Sequence, residues 1–177
     1  MLGGLGSPEL QTHSTDLVRR TAAAFGTSGR ILSAPGIVSN GAVKKGLLAD
    51  PYIRETLELA ASADVAFVGI GIASKDSLLL REGTKISSTL VEKLKKQGAV
   101  GDISLCFFND QGEIISDIIE EGIIGVTPED LRTIPRVVGV AAGREKYRAI
   151  KGALKTGFLN VLITDLVTGK NLLKDIE

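Results

Sequence analysis

Five short aliphatic runs, none of which alternates apolar with polar residues, constrain the fold of this chain more than any other feature. They are Arg30–Ala34, Val65–Ile70, Ile103–Phe108, Val137–Ala141 and Val161–Thr164. Strands without polar alternation are typical of a parallel sheet that helices cover on both faces. Because stretches of helical spacing separate the runs, the pattern predicts βα units in the α/β class, arranged as three α/β/α layers around a mainly parallel sheet.

Capping and breaker residues mark the helices and turns between these runs. Asp50-Pro51 is typical of an N-cap followed by a first-turn proline, and Gly26, Gly98 and Gly157 are stop signals. Helices are predicted over Glu9–Phe25, from Asp50 to about Ala61, from Ser87 to Gly98, from Thr127 onward, and over Arg144–Lys155. Asn109–Gly112 has turn composition, so we expect a hairpin between Leu105–Phe108 and Glu113–Ile115.

Length, charge and composition exclude several classes of protein. The 177 residues suit one domain, and the 21 Lys and Arg residues balance the 21 Asp and Glu residues, so the basic surface that nucleic-acid binding needs is missing. A hydrophobic share of 44% excludes a disordered chain. The lone Cys106 cannot form an intramolecular disulfide, and we find neither a secretory leader nor an apolar run of about 18 residues. We therefore expect a cytoplasmic protein that does not span a membrane.

Two glycine-rich segments are candidates for ligand binding. Gly3-Gly4-Leu5-Gly6-Ser7 precedes a predicted helix, where backbone N–H groups could hold a phosphate, although such turns more often serve only to bend the chain. Gly69-Ile70-Gly71 ends a predicted strand, and the polar residues 74–77 and Arg81 follow it. This is the sheet edge where open α/β folds bind ligands, but an ordinary solvated loop would have the same composition.

The segment Ala142-Gly143-Arg144-Glu145-Lys146 carries the sharpest physical signal. It follows a predicted strand and places Arg144 and Lys146 at the amino end of a predicted helix. Cations there are disfavoured by a few tenths to roughly 1 kcal/mol, and a bound anion would cancel that cost. The alternative is that both side chains extend into water, which screens the helix dipole.

The remaining polar candidates are less specific. Asp102 precedes an aliphatic run, where its carboxylate could accept hydrogen bonds from sugar hydroxyls or could cap a turn. Asp165 is typical of an N-cap for the last helix. The only histidine, His13, has no neighbouring Cys or His cluster, so we predict neither a metal site nor a cofactor, and we find no catalytic nucleophile. Cys106 is interpreted as a core residue.

Six segments in order carry a resemblance to a known family: GGLGSPEL, LADPYIRETLELAASADVAFVGIG, DSLLLREG, AVGDISLCFFNDQGE, IPRVVGVAAGREKYRAI and NVLITD. Together they resemble the effector-binding domain of the SorC family of bacterial sugar-responsive transcriptional regulators, from Gly3 to Leu173. The resemblance implies a fold similar to that of glucosamine-6-phosphate deaminases and ribose-5-phosphate isomerases. It also implies a single effector-binding domain over residues 1–177, truncated at its N-terminus and without the family's helix-turn-helix domain.

The resemblance also assigns roles to particular residues. Lys146 would contact the phosphate of the effector, Asp102 its hydroxyls, and Arg81 would reach it from the loop after Gly71. The full set of expected effector-binding residues is Gly3, Gly4, His13, Gly71, Arg81, Asp102, Gly143 and Lys146. Two positions depart from the family pattern: Ala142 replaces the first glycine of a common Gly-Gly pair, and Leu2 stands where some relatives carry arginine.

The leading hypothesis is a sensing module that is not an enzyme. A phosphorylated sugar would bind at the carboxyl edge of the sheet and alter the state of a homo-oligomer, either a dimer or a tetramer. DNA would be bound only through the missing helix-turn-helix domain. The alternatives are a sugar-phosphate isomerase-like enzyme, since related folds position an acid or a base beside the sugar, and an oligomerisation module without a ligand.

Overall fold

Helices and short strands alternate along the part of the chain that the structure describes, namely residue 4 and residues 14–73, 88–115 and 122–175 of a computed structural model. The helices are α1 (Ser14–Ala24), α2 (Gly41–Leu48), α3 (Pro51–Ala61), α4 (Ser88–Lys96), α5 (Pro128–Thr133), α6 (Tyr147–Lys155) and α7 (Leu166–Lys174). The strands are β1 (Val65–Gly69), β2 (Gly71–Ile72), β3 (Ala99–Ile103), β4 (Cys106–Asn109), β5 (Arg136–Val140) and β6 (Val161–Ile163). No helix in these ranges is long and apolar enough to cross a membrane.

The chain divides into two compact units, of which the first comprises residues 1–60 and 121–126. Its core consists of the buried side chains of Leu32, Ile53 and Ile124, against which partly buried apolar residues of α2 and α3 pack. The predicted cap of α3 is confirmed, because the Asp50 carboxylate accepts hydrogen bonds from the amides of Tyr52, at 2.9 Å, and Ile53, at 3.2 Å.

The structure corrects one sequence prediction for this unit and adds one helix that was not predicted. Residues Arg30–Ala34 do not form a strand; isolated bridges link Gly4 with Pro35 and Ile37 with Ile123. Because proline has no N–H group, Pro35 cannot continue a ladder of hydrogen bonds. Helix α2 was not predicted, since its two glycines weaken the helical signal, and its capping Asn40 is the one local indication of its start.

The second unit, residues 61–120 and 127–177, contains a parallel sheet of strand order β1-β5-β6. All three strands match predicted runs to within one residue at each end. The α/β class and its parallel sheet are therefore confirmed. The carboxyl ends of the three strands lie at one edge, where the segments that follow them are brought together.

A second sheet of this unit corrects the prediction of one strand over Ile103–Phe108. Strands β2, β3 and β4 form an antiparallel sheet. The predicted run is divided into β3 and β4 because the chain reverses at Ser104 and Leu105, whose φ angles are 52° and 68°. The Leu105 side chain is buried, which offsets the roughly 1–2 kcal/mol that a left-handed residue costs. Asp102 consequently lies inside β3, and Cys106 is only half-buried at the start of β4.

The remaining turn and cap predictions for this unit are confirmed. The amide of Asn109 donates to the carbonyl of Glu113 at 3.1 Å, and Phe108 pairs with Ile114, which closes the expected hairpin. Thr127 and Asp130 form a reciprocal capping box at the start of α5. Asp165 is the N-cap of α7. The expectation that all 177 residues form a single domain stays a prediction.

Gly112 provides a test of this hairpin packing. Its φ of 82° disfavours any side chain, and a Cβ atom would lie 2.6 Å from the carbonyl oxygen of Lys155 in α6. We expect Gly112→Ala to lower the free energy of unfolding by about 3 kcal/mol in urea denaturation.

Gly157→Ala is the matched control, because its φ of 74° is similar but its Cβ would meet nothing within 4 Å. This variant should lose only about 1 kcal/mol. Equal losses for both variants would show that the hairpin does not lie close enough to α6 for a Cβ atom at position 112 to clash with it.

Candidate functional site

Four of the predicted effector-binding residues belong to segments at the carboxyl edge of the parallel sheet. Gly71 follows β1 and pairs with Asp102 of β3, and Gly143 and Lys146 follow β5. Of the other four, Gly4 belongs to the first unit, where its amide donates to the carbonyl of Ala34 at 2.8 Å. Gly3, His13 and Arg81 lie outside the described residues.

The Asp102 carboxyl group is the most unusual polar group of this unit. Its residue is 5% exposed, and Oδ2 accepts a hydrogen bond from the Leu105 amide at 3.1 Å. Oδ1 is buried and has no hydrogen-bond partner in the structure. Buried acceptors normally have partners, so an oxygen left without one is suited to accept a donor from a ligand.

Burial also changes the protonation of this carboxyl group. It raises the pKa of Asp102 to about 6, while the Leu105 amide and the positive charge of Lys146 act in the opposite direction. Gly71 makes the arrangement possible, because a Cβ atom at position 71 would overlap Oδ1. Gly71 is thus needed because the Asp102 carboxylate lies against it, and not because the backbone there has a positive φ angle.

Lys146 reaches the same sheet edge with its side chain. Its residue is half-buried, and Nζ donates a hydrogen bond to the carbonyl oxygen of Ile70, between β1 and β2, at 2.9 Å. An ammonium group has three N–H donors, and the Ile70 carbonyl uses one of them. Lys146 therefore places a positive charge close enough to Asp102 to lower the pKa of its carboxyl group.

The predicted helix over Arg144–Lys155 needs a correction that changes the electrostatic argument. Residues Arg144–Lys146 form a single 3₁₀ turn, and α6 begins only at Tyr147. The Lys146 ammonium lies against the Ile70 carbonyl, so its cost at the amino end of a helix is offset. Arg144 is exposed. Only one of the two cations is therefore held at the sheet edge.

The turn at Gly143 is stabilised by Asp165, a residue whose capping role was predicted but whose link to this turn was not. Gly143 has a φ of 109°, and its amide donates to Asp165 Oδ2 at 3.0 Å. Asp165 also accepts hydrogen bonds from the Thr168 hydroxyl, at 2.6 Å, and the Thr168 amide, at 2.9 Å. These bonds hold the pKa of Asp165 well below its usual range. Because Asp165 already occupies the Gly143 amide, Lys146 is the better candidate for binding an anion.

Two further groups near this edge were not found from the sequence. The exposed Glu145 carboxylate lies beside Gly143, where a Cβ atom would be 2.8 Å from Oε2, so a negative charge occupies the side of the turn predicted to hold an anion. Thr164, directly after β6, has a buried hydroxyl without a hydrogen-bond partner. A threonine in an aliphatic run is an ordinary strand residue, so its sequence context gives no signal for this orphaned hydroxyl.

These groups suit binding of a polar, anionic small molecule. A carboxylate with a free acceptor position is complementary to hydroxyl groups, and an ammonium beside it is complementary to an oxyanion. Among the described residues, no group of three His, Cys, Asp or Glu side chains could hold a metal ion.

Comparison with known families and curated proteins gives consistent matches. Residues 1–174 match the model of the Sugar-bind family, described as "Putative sugar-binding domain". The chain is 36% identical over 174 residues to the deoxyribonucleoside regulator of Bacillus subtilis, covering 98% of this chain and 55% of that protein. It is 37% identical to the transcriptional regulator LsrR of Escherichia coli, covering 97% and 52%. The chain thus spans about half the length of the curated relatives it matches.

Solved structures show the same relationship. A sugar-binding domain of a transcriptional repressor from Vibrio fischeri superposes with a TM-score of 0.85 at 31% identity, covering 98% of this chain and 67% of that one. The full-length sorbitol operon regulator SorC from Klebsiella pneumoniae superposes with a TM-score of 0.87 at 27% identity, covering 97% and 56%. The chain therefore belongs to the sugar-binding domain family of SorC-type transcriptional regulators, the family that its sequence motifs resemble.

Proposed function

We propose that this chain is the effector sensor of a transcriptional regulator and that its effector is a phosphorylated sugar bound at the carboxyl edge of the parallel sheet. The observation that carries the proposal is the buried Asp102 carboxyl group, whose Oδ1 lacks a partner, close to the Lys146 ammonium. Asp102 accepts hydrogen bonds from sugar hydroxyls, and Lys146 binds the phosphate.

The names of the relatives support this class of ligand. One relative is named a deoxyribonucleoside regulator and another a sorbitol operon regulator, so related domains occur in regulators whose names refer to a sugar-containing nucleoside and to a sugar alcohol. A neutral polyol would need only acceptors and donors for its hydroxyls. The ammonium of Lys146, held at the edge by the Ile70 carbonyl, favours a ligand that also carries a negative charge.

Sensing requires that ligand binding favours one state of the regulator over another. We propose that the sugar phosphate binds one arrangement of a homo-oligomer more tightly and thereby shifts its population. DNA would then be bound by the helix-turn-helix domain that the family resemblance implies, since this chain matches only about half the length of its relatives. Because such a regulator must reach the chromosome, we also propose that this protein acts in the bacterial cytoplasm.

The phosphate contact can be tested by substituting Lys146. We expect Lys146→Ala to weaken binding of the best phosphorylated sugar from a panel of pentose and hexose phosphates by about tenfold or more, measured by calorimetry. Binding of the unphosphorylated sugar should change much less, because the lost interaction is with the phosphate.

Arg144→Ala is the control for this test, since it removes an exposed cation two residues away. Its effect should be at most about twofold, because an exposed charge is screened by water and salt. Equal losses for the two variants would place the phosphate elsewhere, and turnover of any sugar phosphate by the wild-type chain would contradict the sensing role.

Replacing Asp102 should increase the stability of the folded chain and at the same time abolish ligand binding. Since the folded-state pKa is raised to about 6 from 3.8, the charged carboxylate costs stability that is recovered as the pH falls through 6 toward 4. We expect Asp102→Asn to raise the free energy of unfolding by up to about 3 kcal/mol at pH 8 while abolishing the response to sugar phosphates.

Urea denaturation at two pH values checks the sign of this effect. The stability advantage of Asp102→Asn over the wild type should be about 1.4 kcal/mol smaller at pH 5 than at pH 8. An advantage that does not change with pH would mean that the carboxyl group is not desolvated in solution.

Glu145 should act against the phosphate. Its exposed carboxylate lies beside the Gly143 turn, so a bound anion must displace or tolerate it. We expect Glu145→Gln to tighten binding of the sugar phosphate by about two- to threefold at low salt, with a smaller gain at about 0.5 M salt. Glu129→Gln, on α5, is the control with no expected effect. Tighter binding of the unphosphorylated sugar by the same factor would show that charge is not the cause.

A further inference from the structure

Helix α7 is attached at both of its ends to the segment that carries Lys146. At the amino end, the N-cap Asp165 accepts a hydrogen bond from the Gly143 amide at 3.0 Å. At the carboxyl end, Oδ2 of the C-cap Asp175 accepts a hydrogen bond from the Tyr147 hydroxyl at 2.7 Å. Lys146 directly precedes Tyr147 in the chain. The chain is therefore fastened to α7 on both sides of the proposed phosphate-binding residue.

The attachment at Asp175 involves a second donor. The Lys151 ammonium, one turn further along α6 than Tyr147, also donates a hydrogen bond to Asp175 Oδ2. The bonds from Lys151 and Tyr147 lower the pKa of the Asp175 carboxyl group, and the bond to Asp175 raises the pKa of Lys151. We call Asp175 with Tyr147 and Lys151 the Asp175 cluster. It joins the carboxyl end of α7 to the first two turns of α6.

The start of α6 lacks the local stabilisation that helix ends usually have. Its N-cap is Lys146, and a lysine side chain has no acceptor with which to cap a helix. The residues before it, Arg144–Lys146, form one 3₁₀ turn, in which hydrogen-bond geometry is poorer than in an α-helix. The tertiary contact between Tyr147 and Asp175 therefore replaces a cap at this end of α6.

We propose that Asp175 is a positioning residue for phosphate binding: through Tyr147 and Lys151 it holds the start of α6 in place, so that the Lys146 ammonium stays at the sheet edge. This role rests on the proposed function, in which Lys146 binds the phosphate. Only molecules with Lys146 in this place bind the phosphate with full affinity, so loosening the start of α6 reduces the apparent affinity in proportion. Because the cluster is exposed, the reduction is a few-fold.

Asp175→Ala tests the positioning role with two measurements. In the ligand-free chain, the Lys146 amide donates to the Gly143 carbonyl at 3.0 Å, and we expect it to exchange its hydrogen at least about threefold faster than in the wild type. Exchange of the Leu131 amide, in α5, should not change. Calorimetry should show about three- to fivefold weaker binding of the panel's best phosphorylated sugar, and unchanged binding of its unphosphorylated counterpart.

Two further variants separate positioning from net charge and from folding. Asp64→Ala removes the same charge from an exposed residue just before β1, at the opposite edge of the parallel sheet, and should match the wild type in both measurements. Asp175→Glu keeps the carboxylate and should restore binding of the sugar phosphate to within about twofold of the wild type. Since Asp175 is exposed, both of its variants should melt within about 4 °C of the wild type.

Different failures have different meanings. A Lys146 amide that exchanges at the wild-type rate in Asp175→Ala would show that the Asp175 cluster does not hold the start of α6, and would overturn the proposal. Faster exchange with unchanged binding of the sugar phosphate, or with equal weakening for the unphosphorylated sugar, would overturn it by making the cluster a structural contact only. A wild-type chain that binds no sugar phosphate would contradict the proposed function itself, and the positioning role with it.

Discussion

The burial of one carboxyl group against a glycine organises the candidate site. Asp102 can lie inside β3 only because Gly71, its partner on β2, has no side chain, and its Oδ2 atom stabilises the reversal at Leu105 that separates β3 from β4. The cost of burying this group is visible in its raised pKa. A fold that needed only the turn could use an uncharged residue at this position, so the cost points to a functional requirement.

Two charged residues that follow the strands of the parallel sheet, Asp165 and Lys146, differ in how many of their hydrogen-bonding positions the structure already uses. Asp165 accepts hydrogen bonds from Gly143 and Thr168, so its carboxylate holds the turn after β5 and the start of α7. Lys146 is instead anchored by one carbonyl, that of Ile70, which leaves its ammonium with donors to spare. A negatively charged ligand can therefore bind at Lys146 without breaking the contacts that hold the turn together.

The sequence predicted the parts of the molecule that depend on local chemistry. Strands β1, β5 and β6 were found because aliphatic runs buried in a sheet are recognisable, and the caps at Asp50, Thr127 and Asp165 were found because short polar side chains satisfy helix ends. The reversal at Ser104 and Leu105 was missed, since neither residue favours a positive φ and the Asp102 carboxylate that closes the turn is a tertiary feature. Lys146 was predicted as a phosphate-binding residue from its place at the amino end of a helix, and that role stays a prediction. The contact that positions its ammonium could not be predicted, because the Ile70 carbonyl that accepts its hydrogen bond comes from 76 residues away.

The proposed sensing role depends most on the assignment of Asp102 and Lys146 to the effector. A crystal structure of this chain with the phosphorylated sugar that most raises its melting temperature tests that assignment directly. We predict a sugar hydroxyl within hydrogen-bond distance, about 2.5–3.0 Å, of Asp102 Oδ1 and a phosphate oxygen about 2.7–2.9 Å from Lys146 Nζ. A sugar phosphate bound at another edge or surface, with Oδ1 of Asp102 still without a donor, would contradict it.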